Sequence, residues 1–266
     1  MWALCVKTRS FGSAYTKVVR FKHFQDFRYN NFVRIEPILY NTLVVRRKLD
    51  ASRLLETMKT KPPMFFDANV RSLAFGSTVT FLQAKAILAN CSQQIVNCAV
   101  WGFDRNPSIF LPFIRFPSLR RLSLTSHSPS ELNIPPGILS SLTHLILGGP
   151  YTWYHLRNAL HHLKHTDEDH TDHITATALF PNLTHFGVDS QNWGSAQSLL
   201  KVATNLKYFA IIVPLQFKAM STITQRIAEL GDRRVVVVEY NYSIENWEGS
   251  ARGGVDLWDR VETACC

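Results

Sequence analysis

Five of the chain's ten histidines fall within the thirteen residues "HHLKHTDEDHTDH", His161 to His173, together with four acids, and His155 lies just upstream. Imidazole and carboxylate groups at this density are ligand types for zinc and related divalent ions. Leu156, Leu160 and Leu163 keep an apolar stripe at helical spacing as far as Lys164, which puts His161 and His165 on the opposite, solvent side of that helix. An i, i+4 histidine pair can chelate a metal ion, and His170 and His173 could add ligands if the following loop folded back. That loop, however, has no cysteine, no glycine turn and no apolar anchor before Ile174. The expectation is therefore weak surface binding of zinc at His161, His165, His170 and His173. A built catalytic centre is not expected, and no resident cofactor is implied.

Other chemistry is sparse. The chain lacks G-x-S-x-G, G-x-G-x-x-G, G-x-x-x-x-G-K and H-E-x-x-H, so the nucleophile-elbow, dinucleotide, phosphate-loop and zincin arrangements are all missing. Gly148-Gly149-Pro150 reads as a turn. Asp256 and Asp259 flank Trp258 on an expected terminal helix, where a solvated face is the default. The closing "ACC" has the look of a double-cysteine prenylation end, against which stand ordinary frayed thiols. A non-enzyme is expected.

Composition narrows the class further. The 46% hydrophobic content over 266 residues suffices for a sizeable core, and no apolar run approaches the roughly 18 to 20 residues that cross a bilayer. The opening "MWALCVK" is too short for a secretory signal, and the five cysteines are odd in number and thinly spread, so free thiols in a reducing compartment are expected. The N-x-S/T triplets at Asn90, Asn182 and Asn241 are then chance matches. A soluble protein of the cytoplasm or nucleus follows.

The net charge of +9 is confined to one region: residues 1–61 hold 13 Lys and Arg against 4 Asp and Glu, while residues 62–266 hold 16 against 16. Three readings of that basic quarter stay open: a solvated, partly helical or disordered lead-in, a patch for nucleic acid or an acidic surface, or a mitochondrial presequence, to which the acid-poor residues 1–34 are loosely suited.

The elements that would carry any site come from a repeat. Apolar residues at the first, fourth and sixth positions recur as Val70-Leu73-Phe75, Ile95-Cys98-Val100, Leu119-Leu122-Leu124, Leu142-Leu145-Leu147, Leu183-Phe186-Val188, Leu206-Phe209-Ile211 and, more loosely, Val235-Val238-Tyr240. The starts are spaced 25, 24, 23, 41, 23 and 29 residues apart, in or at the edge of the 20 to 29 of a leucine-rich repeat in all but one case. Each unit predicts a short strand, with its key residues turned into a core shared with its neighbours. Helical patterns fill the intervals: Thr80 caps "FLQAKAILAN", Ser195 caps a second helix, and a third runs from Ser221 to a stop at Gly231. The prolines of "FPSL" (Phe116–Leu119) and "FPNL" (Phe180–Leu183) are expected at strand starts. The usual Asn or Cys three residues after the last key position is replaced by Phe103, His127, Pro150 and Gln191, so the array should be irregular and shallowly curved.

The predicted fold class is thus α/β, an irregular leucine-rich-repeat-like solenoid with a short-strand parallel sheet on one side and helices on the other. It would span residues 62–266 behind a basic segment 1–61, with an insertion at about 154–178 that accounts for the one long spacing and holds the histidines. Third and seventh repeat positions face the concave side of such an array. Trp101, Arg121, His144, His185 and Tyr208 are the partner-binding candidates there, because aromatic and arginine side chains are the types enriched at binding hot spots; ordinary exposed residues are the alternative.

The run "EPILYNTLVVRRKLDASRLLETMKTKPPMFFDANVRSLAF" (Glu36–Phe75), the repeats and the tail "LGDRRVVVV…NWEGSARGGVDLWDR" resemble the F-box-like leucine-rich-repeat proteins of mushroom-forming fungi, over roughly residues 36–262. Pro37, Leu39 and Tyr40 match the word that closes the F-box neighbourhood in that family, and Trp247, Gly249, Ala251, Gly253, Gly254, Asp256 and Trp258 match its closing motif. The resemblance implies a non-catalytic protein-interaction module that binds an unknown protein ligand, with a Skp-type ubiquitin-ligase adaptor as a further partner. No L-P-x-E word, with which an F-box begins, stands in residues 1–35; the F-box is either lost or encoded upstream of Met1. Nucleic-acid binding through the basic segment and metal binding through His161–His173 are the alternatives.

Overall fold

A computed structural model of the chain describes residues 32–91, 93–103, 116–126, 136–149, 180–190, 199–200, 203–215, 223, 225 and 231–264. Two compact units divide the chain, residues 1–39 and 40–266, and helix α1 (Phe32–Tyr40) runs across their boundary. In the second unit, strands β1 (Thr42–Val45), β2 (Ser72–Phe75), β3 (Asn97–Phe103), β4 (Arg121–Ser126), β5 (His144–Gly148), β6 (His185–Asp189), β7 (Tyr208–Val213) and β8 (Val235–Glu239) form one parallel sheet in sequential order. The chain is an α/β solenoid, as its repeat predicts.

The key positions behave as read. All three in each of the six repeats from Val70 to Ile211 are at most 3% exposed, and the register aligns Leu73, Cys98, Leu122, Leu145, Phe186 and Phe209 across the sheet. The amides of positions two and three in each repeat share the position-two carbonyl of the repeat before, at 2.8–3.1 Å from Arg71 and Ser72 on Asn41 to Lys207 and Tyr208 on Thr184. Such stacking satisfies the strand entry of every repeat with backbone from its neighbour, so no unit stands alone.

Helices α2 (Lys48–Thr60), α3 (Phe65–Asn69), α4 (Phe81–Leu88) and α5 (Pro136–Leu139) deliver Ala51, Phe66, Ala84, Ile87, Leu88, Ile138 and Leu139 to the core on one side of the sheet. Thr80 caps α4 as expected. Its hydroxyl accepts from the Gln83 amide at 3.3 Å while Gln83 Oε1 accepts from the Thr80 amide at 3.2 Å. Gln83 Nε2 then ties α4 to α2 through the Lys48 carbonyl and Ser52 Oγ. Gly231, expected as a helix stop, has a φ of 62°.

Four details differ from the sequence reading. The array begins at Tyr40, not at residue 62: Tyr40-Leu43-Val45 is a further repeat, with Leu43 opposite Leu73 and Val45 opposite Phe75, hidden inside the basic quarter. The last repeat is out of phase with the expected triplet, because β7 Phe209 and Ile211 face Val235 and Val237. Val235 and Val237 therefore turn to the main core, whereas Val238 and Tyr240 turn the other way. Pro117 and Pro181 sit in turns that precede the strands. There the Phe116 and Phe180 carbonyls accept from Leu119 and Leu183 at 3.2 and 3.3 Å, and the fixed proline φ suits the second turn position.

The fourth difference is a third layer. Helices α6 (Ile244–Ala251) and α7 (Leu257–Ala264) fold back across the sheet face opposite the main core. Two groups of packed side chains mark them: Trp247 of α6 with Ala74 and Ala99, and Leu257, Trp258 and Val261 of α7 with Ile146, Ala210, Ile212, Val236, Val238 and Tyr240. Among the described residues no helix is long and apolar enough to cross a membrane.

Candidate functional site: a cleft between the C-terminal helices

Repeat positions three, five and seven project from the sheet toward the tail. At two of them stands a glycine. A Cβ on Gly148 would come within 2.6 Å of Thr125 Cγ2 on the neighbouring strand, with the Tyr242 ring at 3.5 Å, and one on Gly187 would lie 3.3 Å from Ile212 and 3.4 Å from Trp258.

Polar contacts fix its ends. Arg46 of the β1–α2 turn reaches Glu248 at 2.5 Å and Glu245 at 3.6 Å, and Arg252 pairs with Glu248 at 3.0 Å, which holds α6 over β1. Asp256 does two things at the start of α7. Its Oδ1 accepts from the Asp259 amide at 2.8 Å, with Asp259 Oδ2 returning the bond to the Asp256 amide, and its Oδ2 takes Arg121 Nη1 at 2.7 Å. The solvated face expected for Asp256 and Asp259 is therefore half right: Asp259 is exposed, whereas the Asp256 side chain is only 13% exposed and anchors the helix to β4.

α6 contacts β1 and β2, and α7 contacts β7 and β8, so the central strands are reached between them. The cleft there has a floor of Asn97, Arg121, Ser123, His144 and Ile146, flanked by Trp247 and Ser250 of α6 and by Asp256, Leu257 and Trp258 at α7, with Tyr240 and Tyr242 beside it. Its volume is about 40 Å³. At roughly 10–15 Å³ per water that is space for about three or four water molecules, well below the roughly 300 Å³ at which drug-sized pockets begin. Packed around the cleft rather than open to it, Ser123 Oγ, Tyr242 Oη and Trp101 Nε1 are buried without a protein hydrogen-bond partner. Leaving such a group unmatched costs about 1–3 kcal/mol. Burial drives the Tyr242 phenol well above its usual range, with Tyr240 adding to the effect; the Trp101 indole opposes it from nearby, outside ordinary hydrogen-bond geometry.

The five partner-binding candidates share this face but not one environment. Arg121 and His144 line the cleft. Trp101 sits beneath α6, its ring 5.8 Å from Trp247 and 5.4 Å from Tyr242, where β3 shifts register against β4 after Val100. Such a bulge re-aims a side chain. His185 is buried beneath α7, and Tyr208 lies beside it at 5.2 Å. The open face expected from the sequence is thus partly filled by the chain itself. The metal candidates His161, His165, His170 and His173 lie outside the described residues, and among the described residues no group of three His, Cys, Asp or Glu side chains is placed to hold a metal ion.

His144 and His185 stack with centroids 4.1 Å apart at 10°, and Trp258 meets both edge-on at 5.4 and 5.1 Å. Both arise from a repeated Leu-Thr-His word. Thr143 Oγ1 is 2.8 Å from His144 Nδ1 and Thr184 Oγ1 is 2.8 Å from His185 Nδ1. Thr143 Oγ1 also donates to the Arg120 carbonyl and Thr184 Oγ1 to the Thr143 carbonyl, each at 3.1 Å. His185 Nε2 faces Glu262 Oε1 at 3.3 Å. Burial, helped by His185 and Arg121, pushes His144 down to about 3; burial also lowers His185, against the pull of Glu262.

Sequence reasoning missed Ser123, Tyr240, Tyr242 and the roles of Trp247, Asp256 and Trp258. Gly148 and Gly187 at outward positions were the available signal, since a bare sheet face gives no reason for glycine there. Cys91 and Cys98 are free and buried, as expected, with burial raising Cys98 to about 12 and Cys91 further, so neither is a nucleophile at neutral pH. Comparisons with family models, with curated proteins and with solved structures gave no match.

Proposed function

We propose that the protein is a non-catalytic protein-interaction module of leucine-rich-repeat type, working in the cytoplasm or nucleus as an F-box-type substrate receptor or as a derivative without an F-box of its own. The observation that carries this reading is the cleft, where Trp247, Trp258, Tyr240, Tyr242, Arg121 and His144 meet. Tryptophan, tyrosine and arginine clustered at a well-packed centre are the composition of binding hot spots, and the volume is too small for a metabolite. Nucleic-acid binding through the basic quarter draws little support from residues 40–61, where Arg46, Arg47 and Lys59 each pair with an acid.

Affinity capture from cell extract, with the wild-type chain and a Ser250→Arg variant that plugs the cleft from the α6 wall, tests the reading. A partner held by the wild type and lost from the variant is expected. A Skp-type adaptor among the captured proteins supports the receptor version, and its absence leaves a scaffold. A set of partners identical for both chains overturns the cleft as the binding surface.

A further inference from the structure

We propose that the outer edge of β8 pairs antiparallel with the β8 edge of a second copy of this chain, joining the two sheets across a two-fold axis. The inference goes beyond the interaction reading and stands without it.

The two edges of the sheet are finished differently. At one end the Asn41 and Val45 carbonyls accept from Ser72 and Gly76, which turns the Thr42 backbone away from β2. There the tail closes it: the Thr42 carbonyl accepts from Arg252 Nη2, and Thr42 Oγ1 donates to the Ala251 carbonyl, both at 3.4 Å. At the other end the Phe209 amide donates to the Arg234 carbonyl at 2.7 Å and the Tyr240 amide to the Val213 carbonyl at 3.0 Å. Phe209, Ile211 and Val213 align with Val235, Val237 and Glu239, so the even-numbered residues of β8 serve β7 and the odd-numbered ones turn their backbone outward. The Val235 amide closes a turn on the Asp232 carbonyl at 3.1 Å. The Val235 carbonyl, the Val237 amide and carbonyl and the Glu239 amide meet no hydrogen-bond partner among the described residues.

Such an edge is a template for a further strand, and native proteins guard theirs with lysine, proline or a bulge. β8 has none of the three: it reads Val-Val-Val-Val-Glu in unbroken register with β7. Val235 and Val237 are also only half-buried, where the end of a solenoid ordinarily carries a polar cap.

Charge selects the partner and the register. Arg233 is exposed at the entry to β8 and Glu239 is exposed at its exit, and neither forms an ion pair among the described residues. The neighbouring Asp232 is held by Arg234 at 2.6 Å. In an antiparallel pair the entry of one strand lies at the exit of the other. Only the outward, odd-numbered residues can exchange bonds, so the available registers differ by two residues. One of them sets Val235 against Val237 and Arg233 against Glu239, each twice because of the two-fold axis. The registers on either side set a valine against Glu239 or against Arg233. β8 is therefore complementary to itself in one register, apolar to apolar and each charge to its opposite. A head-to-tail contact of β8 with β1 of the next copy would build an open array, and Arg252 already occupies that edge.

The test is sedimentation equilibrium of the full chain and its charge variants. A reversible dimer is expected of the wild type. Glu239→Arg and Arg233→Glu should each weaken it at least about tenfold, because each sets like charges opposite one another twice per dimer. Both side chains are exposed, so the unfolding midpoint should not move. An equimolar mixture of the two single variants should dimerise. The chain with both substitutions should regain the wild-type dimer with itself and fail to mix with wild-type chains. Val237→Pro, which deletes an outward N–H that β7 does not use, should abolish the dimer. A chain that stays monomeric at every concentration overturns the proposal. So does a dimer that the single variants and Val237→Pro leave intact, which would join elsewhere, and so does a dimer that the charge swap fails to restore. Capture of a partner through the cleft should be the same for wild type and Glu239→Arg, so the two readings fail separately.

Discussion

Strands β4 and β8 lie in the same parallel sheet, yet they are composed by opposite rules. β4 reads Arg-Leu-Ser-Leu-Thr-Ser and alternates, whereas β8 reads Val-Val-Val-Val-Glu and does not. Alternation suits a strand with one face in a core, and a continuous apolar run suits a strand covered on both faces. The tail obeys this division. Val236 and Val238 of β8 lie under α7 with Leu257, Trp258 and Val261, while Arg121 and Ser123 of β4 lie at the floor of the cleft. Where the tail packs, the outward positions are apolar or glycine apart from His185; the cleft floor sets the polar Asn97, Arg121, Ser123 and His144 beside Ile146.

Removing a tail anchor tests whether that second face is a true core. Trp258 is 5% exposed, against 2% for Leu122 on the helix side. Trp258→Ala should cost roughly 3–5 kcal/mol and Leu122→Ala roughly 2–5, both read by urea unfolding. Near-equal losses would make the tail an integral layer. A loss under about 1 kcal/mol for Trp258→Ala would instead describe a strap resting on a fold complete without it.

How far this was legible beforehand follows the same division. Positions one, four and six recur because each repeat must bury them, so the sheet order and the five registers from β2 to β7 could be read from spacing. Tyr40-Leu43-Val45 obeyed the same rule but lay among Arg46, Arg47 and Lys48, and charge drew attention away from periodicity. In β8 both faces are apolar, so the pattern holds no phase information, and the triplet was set one face off. Arg121 and His144 were recognisable as outward residues. What would cover their neighbours was not, because α6 and α7 come from sequence about 100 or more residues further along the chain.

Protonation probes the two regions without mutation. His144 is held neutral down to about 3 by burial, with Arg121 and the neighbouring His185 opposing its charge, and His185 is lowered as well despite Glu262. A histidine depressed in the folded chain contributes its full stability above its unfolded value near 6.5 and loses it as pH falls toward the folded value. Between pH 6.5 and 5 the loss from His144 should be about 2 kcal/mol. Unfolding free energy measured across that window should fall in the wild type and fall less in His144→Phe, which keeps the ring against Trp258 and leaves only His185 of the depressed pair. A fall of the same size in both would place the titrating group elsewhere.

The smallest expected effects separate the two tail helices from each other. α6 is tied by Arg46–Glu248, whose arginine is 38% exposed, and α7 by Arg121–Asp256, whose carboxylate is 13% exposed. Solvent screens the first pair, so Glu248→Gln should cost about 0.2–1 kcal/mol, shrinking further in high salt. Asp256→Asn loses more, roughly 1–2 kcal/mol, because its carboxylate accepts from both the Asp259 amide and Arg121 and a charged acceptor outranks a neutral one. The asparagine keeps an oxygen that can cap α7 but must then present its NH₂ toward Arg121. Combining Asp256→Asn with Arg121→Met tests that account. Recovery of stability in the double variant is expected, since the uncompensated guanidinium leaves with its partner, and simple addition of the two losses would show that the pair does not couple the cleft to the tail.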